Sequence, residues 1–269
     1  MRFFCSGHYK NPCTGSMLIY IAITIEMKRS FPMSDNASRK ILVLGGSRGI
    51  GAALVRRFAG AGDHVVFSYA GSADAAAALA AETGARAVRV DSADRDALVA
   101  AVAAEGPVDV LLVNAGTLAL GDPLTLDADA VDHMIDVNVR APYHAAVEAA
   151  RTMPGDGRIL VIGSTNGDRM PFAGGAAYAM TKSAIQGMVR GLARDLGGRG
   201  ITVNAIQPGP TDTDMNPASG PMAETMHGFM AIKRHVHASE IADYAAFLAS
   251  PSAAMITGSM QTIDGGFGA

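Results

Sequence analysis

Tyr178 and Lys182 stand four positions apart in the run AAYAMTKSAIQ, residues 176–186. Side chains at i and i+4 of a helix lie one above the other, so a phenol and an ammonium at this spacing approach each other and interact electrostatically. A phenol is a suitable general acid toward an oxygen that gains negative charge, because such an oxygen needs a proton as the charge develops. Its ordinary pKa is about 10, and a neighbouring cation favours the phenolate. Lys182 would be that cation. Such pairs also occur on helices that do no chemistry, so the spacing acquires meaning only through partners elsewhere in the chain. One is Ser164, in VIGSTNG, whose hydroxyl could hold and polarise the same oxygen.

A second constellation is GGSRGIG, Gly45 to Gly51, between the apolar run ILVL and the helical stretch AALVRRFAGAG. A turn from a strand into a helix N-terminus needs glycines for positive φ and for close backbone approach, and its exposed N–H groups and helix dipole suit a pyrophosphate. Gly45, Ser47, Arg48, Gly49, Ile50 and Gly51 are the candidate contacts. A site selective for NAD presents a carboxylate at the end of the next strand to hold the ribose 2′-hydroxyl. Here that position reads Ser68–Tyr69–Ala70–Gly71–Ser72, without an acid. Arg48 supplies a cation able to pair with a 2′-phosphate, so NADP(H) is the expected cofactor, with Tyr69 and Ser72 beside it.

These residues need a scaffold, and from Lys40 onward short β-branched apolar runs alternate with Ala-rich helical stretches. The expected strands are Ile41–Leu44, Val65–Ser68, Ala87–Val90, Val108–Val113, Ile159–Ile162, Thr202–Ile206 and Met260–Ile263. Continuous apolar runs are strands buried on both faces, which with intervening helices predicts an α/β domain. The expected architecture is a doubly wound, Rossmann-like, seven-stranded and mostly parallel sheet with helices on both faces.

With 269 residues and 49% hydrophobic content, the chain can bury one sizeable core. A net charge of −3 gives no electrostatic reason to expect a nucleic-acid polymer or an acidic membrane surface as partner. Cys5 and Cys13, the two cysteines, both lie near the N-terminus, so the core carries neither a disulfide framework nor a thiolate metal site, and no metal is expected. That composition suits a reducing cytoplasm. Residues 1–32 differ in character from the rest of the chain, and their apolar run Met17–Ile25 is too short to span a bilayer. Met33 opens a polar lead into the first strand. The expectation is a disordered extension over 1–32, from a mis-assigned start, and one dinucleotide-binding oxidoreductase domain over 33–269.

From Lys40 to Ala269 the chain resembles the short-chain dehydrogenase/reductase superfamily, and the motifs stand in that family's order. They are GGSRGIG, Asp91 after the third strand, NAG (Asn114–Gly116) after the fourth, Asn138 in DVNVRAPYHA, Ser164, YAMTK (Tyr178–Lys182) and QPGPTDTD (Gln207–Asp214). The resemblance implies hydride transfer between a nicotinamide and a carbonyl/alcohol substrate, with Tyr178 as acid and also a cofactor contact, Lys182 also on the nicotinamide ribose, Ser164 on the substrate oxygen and Asn138 supporting a water chain to Lys182. It further implies that Asp91 and Ser92 contact the adenine and that Asn114, Ala115 and Gly116 line its ribose. Pro208 and Gly209 would pack on the nicotinamide, and Thr213, with Thr211, would bond its carboxamide. Asp91 as a helix cap and Pro208–Gly209 as a strand stop remain open beside these roles. A homodimer or homotetramer built through the Tyr178 helix and the last strand is implied by the same analogy.

The runs GDRMPFAGGAAYA, RGITVNAIQPGPTDTDMNPASGPM and MAIKRH are similar to a branch of that superfamily that binds cyclic-di-GMP and governs biofilm dispersal. A nucleotide-binding regulator with little turnover is therefore the second class of function. Three departures from the family pattern stand out. Leu44 replaces the usual Thr before the glycine turn, and Val113 replaces an Asn. Ser164 precedes Tyr178 by one residue more than is usual, so that spacing alone would select Thr165. Residues 215–235 are the expected substrate lid, with Met215, Met222, Met226 and Met230 as adaptable apolar contacts or as core. His227, His235 and His237 do not make a convincing metal set, and Arg190 with Arg194 is a weak candidate for guanine contact.

Overall fold

The computed structural model describes residues 38–269; the extension expected over 1–32 lies outside the described residues. Seven strands form one sheet in the order β3-β2-β1-β4-β5-β6-β9: β1 (Lys40–Leu44), β2 (His64–Tyr69), β3 (Arg86–Arg89), β4 (Val110–Val113), β5 (Arg158–Ile162), β6 (Thr202–Pro208) and β9 (Met260–Ile263). Every neighbouring pair in it is parallel. Two strands not expected from the sequence, β7 (Thr211–Asp212) and β8 (Val236–His237), pair with each other and bracket the segment expected to be a lid.

Helices cover both faces because successive side chains of a strand point to opposite sides. Leu42 and Leu44 belong to a core that includes Leu98 and Val102 of α3 (Arg95–Glu105), Ala145 and Ala149 of α5 (Ala141–Thr152), and Ile185 and Val189 of α6 (Ala176–Leu196). Ile41 and Val43 belong to the opposite core, with Leu54 and Phe58 of α1 (Gly49–Ala59), Leu79 of α2 (Ala73–Thr83), and Ile241 and Leu248 of α8 (Ala238–Leu248). Two further helices complete the set: α4 (Ala128–Ile135), and α7 (Ala223–Phe229) in the lid.

Strand β4 starts at Val110 rather than at Val108, because Asp109 turns its carboxylate onto the Lys40 backbone N–H at 2.7 Å and ends the apolar run. Strand order reverses between β1 and β4, the point at which open parallel sheets leave a crevice beyond their carboxyl ends. The turns after β1, β4, β5 and β6 all emerge on that edge. No helix among the described residues is long and apolar enough to cross a membrane.

Candidate active site

The glycine turn has no room to be anything else. Gly45 has φ +76°, and a Cβ there would stand 2.7 Å from the Ala115 backbone. Its carbonyl accepts a 2.7 Å hydrogen bond from the Asn114 side-chain amide, and its N–H donates to Ser68 Oγ at 2.9 Å. Ser68 thereby supplies the hydroxyl that Leu44 cannot. Arg48 occupies the N-cap position of α1 and makes no side-chain cap bond, so no capping side chain takes the first-turn N–H groups, which suit an anion.

The turns enclose a cavity of about 930 Å³. Gly45, Ser47, Arg48, Gly49 and Ile50 line one end, with Tyr69, Ser72, Asp91 and Ser92 from the β2 and β3 edges. Asn114, Ala115 and Gly116, then Pro208, Gly209, Thr211 and Thr213, continue the wall toward Ser164, Tyr178 and Lys182. Asp91 is not a helix cap: its carboxylate accepts from Ala93 N, whereas Asp94 caps α3 by accepting from Ala97 N at 3.0 Å. Arg48 faces Asp214 across the mouth at 3.7 Å, both side chains mostly exposed, so the pair is worth little.

Two residues expected in the site lie behind its wall. A Cβ on Gly51 would stand 2.1 Å from Gly45 O, so Gly51 lets the helix pack under the turn and does not line the cavity. Asn138 is buried in a π-helical segment, Asp136–Arg140, between α4 and α5. It accepts from Thr117 N and donates to Thr117 O, both at 2.9 Å, and donates to Thr181 Oγ1 at 3.1 Å. It thus ties the β4 turn to α6, and it flanks Gly116 together with Lys182.

Lys182 Nζ is buried, donates to Ile162 O at 3.1 Å and stands 5.7 Å from the centroid of the Tyr178 ring. Burial lowers its pKa to about 8. Burial also raises the Tyr178 phenol, with the Ser164 hydroxyl opposing that rise. Burial thus works on the phenol in the direction opposite to that expected of a neighbouring cation, while the ammonium lies over the ring and donates to a carbonyl.

The two adjacent hydroxyls point in different directions. Ser164 lines the cavity, whereas Thr165 is 2% exposed and donates its hydroxyl to Pro208 O at 3.1 Å, away from it. Met215, Met222 and Met226 line the cavity, but Met230 is a core residue at 1% exposure. His227 and His235 share a 2.8 Å hydrogen bond, and the described residues contain no cluster of metal-ligating side chains. Arg190 and Arg194 are exposed on α6, off the cavity wall. Sequence reasoning missed Phe172 and Phe267, which line the lid end and whose distance along the chain gives no signal.

A parallel sheet with this turn and this hydroxyl–phenol–ammonium set defines a dinucleotide-binding oxidoreductase of the short-chain dehydrogenase/reductase class. A family model described as enoyl-(acyl carrier protein) reductase matches residues 45–268, and the chain belongs to that family. It is 61% identical over 237 residues, covering 88% of this chain and all of the relative, to the cyclic-di-GMP-binding biofilm dispersal mediator protein of Escherichia coli K12. The crystal structure of BdcA in complex with NADPH superposes with a TM-score of 0.85 at 61% identity, covering 86% of this chain and 95% of that one. A short-chain dehydrogenase from Burkholderia cenocepacia in complex with NADP superposes with a TM-score of 0.82 at 44% identity, covering 86% and 98%.

Proposed function

We propose that this chain is an NADPH-dependent oxidoreductase that interconverts a carbonyl and an alcohol. The observation that carries the reading is the convergence of Ser164, Tyr178 and Lys182 on one wall of the cavity whose other end is the glycine turn. The residues present fit the cofactor: an uncapped helix start over a cradle that admits no Cβ at Gly45, an arginine at the mouth, and no acid after β2. Arg48 and Ser47 would hold the 2′-phosphate side, and Tyr69 and Ser72 would flank it. Asp91, Ser92 and Asn114 to Gly116 would hold the adenosine, and Pro208, Gly209, Thr211 and Thr213 the nicotinamide end. When bound, the dihydronicotinamide supplies a hydride.

Tyr178 gives its proton to the substrate oxygen, and Ser164 donates a second hydrogen bond to the same atom. Two donors at one oxygen favour a carbonyl over an isolated carbon–carbon double bond. Lys182 holds positive charge under the ring, and Asn138 positions the β4 turn against it. The apolar residues Phe172, Met215, Met222 and Met226 would receive an uncharged substrate body. The exposed Tyr143 and Met180 on α5 and α6 support a homodimer or homotetramer through that face, and the cysteine-free core supports a cytoplasmic site.

The 61% identity to a protein named for cyclic-di-GMP binding favours a second reading, a regulator that binds that messenger in the same cavity. Mixing NADPH with a panel of ketones, aldehydes and an enoyl thioester separates the readings. Ketone turnover that vanishes in Tyr178→Phe supports the enzyme, and reduction of the enoyl thioester alone overturns the carbonyl class. Calorimetric binding of cyclic-di-GMP without turnover of any substrate supports the regulator.

A further inference from the structure

Ser164 is held through its own backbone. Gln207, at the end of β6, is 1% exposed and donates from Nε2 to Ser164 O at 3.1 Å and to Asp168 Oδ2 at 2.8 Å. The other oxygen of Asp168 accepts from Gln186 Nε2 on α6 at 2.7 Å. The same loop is fastened once more, by Ser183 Oγ donating to Gly167 O at 2.6 Å. A Cβ on Gly167 would stand 2.9 Å from the backbone of Lys182, so the loop lies directly on the helix that carries Tyr178 and Lys182.

The amide of Gln207 has one workable orientation, because a flipped Oε1 would face both a carboxylate and a carbonyl. In that orientation Oε1 is buried and meets no partner among the described residues. A buried amide with an orphaned acceptor stabilises a core less well than an apolar side chain of the same length. What it does that an apolar side chain cannot is hold a carbonyl in place.

We propose that Gln207 and Asp168 are positioning residues that lock the Ser164 backbone to helix α6 and so keep its hydroxyl aimed at the Tyr178 phenol. The proposal rests on the reading of Ser164 and Tyr178 as the donors at the substrate oxygen. Wild-type turnover that Tyr178→Phe abolishes is established first, so that the comparisons bear on Gln207 and Asp168 alone.

Gln207→Met removes the amide at nearly constant length, and Asp168→Ala removes the carboxylate from an exposed position. Each is measured for kcat, for NADPH dissociation constant and for the pH profile of alcohol oxidation, alone and in a Ser164→Ala background. Both variants lower kcat by about tenfold with NADPH binding held within about twofold. The rising limb of the oxidation profile moves to higher pH, in the same direction as in Ser164→Ala, because a hydroxyl that favours the phenolate has been misplaced. In the Ser164→Ala background Gln207→Met costs less than about twofold, since it acts through the serine. A folded Gln207→Met protein with wild-type kcat and pH profile overturns the proposal, as does a loss that is undiminished in the Ser164→Ala background. If Gln207→Met does not fold, Asp168→Ala carries the same two comparisons.

Discussion

Lys182 Nζ stands 5.7 Å from the centroid of the Tyr178 ring and donates to the carbonyl of Ile162 at the end of β5. The helix that sets the two side chains one turn apart is thereby pinned to the strand that leads to Ser164. Phenol, ammonium and the residue that follows β5 are thus joined through one strand and one helix.

Replacing Tyr178 by Phe removes the proton donor and keeps the ring. Positioned general acids contribute about 10²- to 10⁴-fold, so kcat for carbonyl reduction is expected to fall by about 10³ with NADPH binding unchanged. Stopped-flow NADPH fluorescence together with steady-state oxidation checks both halves.

The Arg48 guanidinium lines the cavity beside the glycine turn. Charge-assisted bonds contribute about 1.5–3 kcal/mol, so Arg48→Ala is expected to weaken NADPH binding by about 10- to 100-fold and to leave NADH unchanged. Its partner Asp214, 3.7 Å away, would compete with a 2′-phosphate for it. Asp214→Ala tightens NADPH by no more than about fivefold, and the gain fades with salt, as for an exposed pair. Titrations at two ionic strengths decide this.

Lys182 gives stability a pH dependence with a definite sign. Its folded pKa is lowered to about 8 from the unfolded value of 10.5, so between these values the unfolded state binds more protons and stability rises with pH. The full desolvation penalty applies below about pH 8 and disappears above about 10.5. Lys182→Met is expected to flatten the rise, whose size is about 3 kcal/mol. Denaturant titrations from pH 7 to about 11 measure it, and a Met variant that keeps the wild-type slope contradicts the assignment.

A methyl group on Gly51 would meet Gly45 O at 2.1 Å and Asn114 Nδ2 at 2.6 Å. Gly51→Ala must push α1 away from the turn, at a cost of about 1–3 kcal/mol for overpacking. NADPH affinity is expected to fall with the thermal midpoint, although the residue does not line the cavity. Gly62→Ala is a control for the midpoint: its φ of +88° brings backbone strain but no contact within 4 Å, so cofactor binding stays intact.

The seven sheet strands were legible in the sequence because a strand buried on both faces leaves an unbroken apolar run, and the parallel arrangement followed from the helices between them. The candidate site was legible where one turn or one helix holds its residues together, as at Gly45–Gly51 and Tyr178–Lys182. Strand ends moved where a polar group intervened, as at Asp109. Other features depend on contacts between distant segments. Thr165 turned to Pro208, Met230 sank into the core, Gly51 and Asn138 moved behind the wall, and Phe267 came to the lid. Local spacing fixes which side chains can meet along one element; which of them face the cavity, and whether burial or a nearby cation governs a proton, is decided only when β5, β6 and α6 pack and exclude water from the space between them.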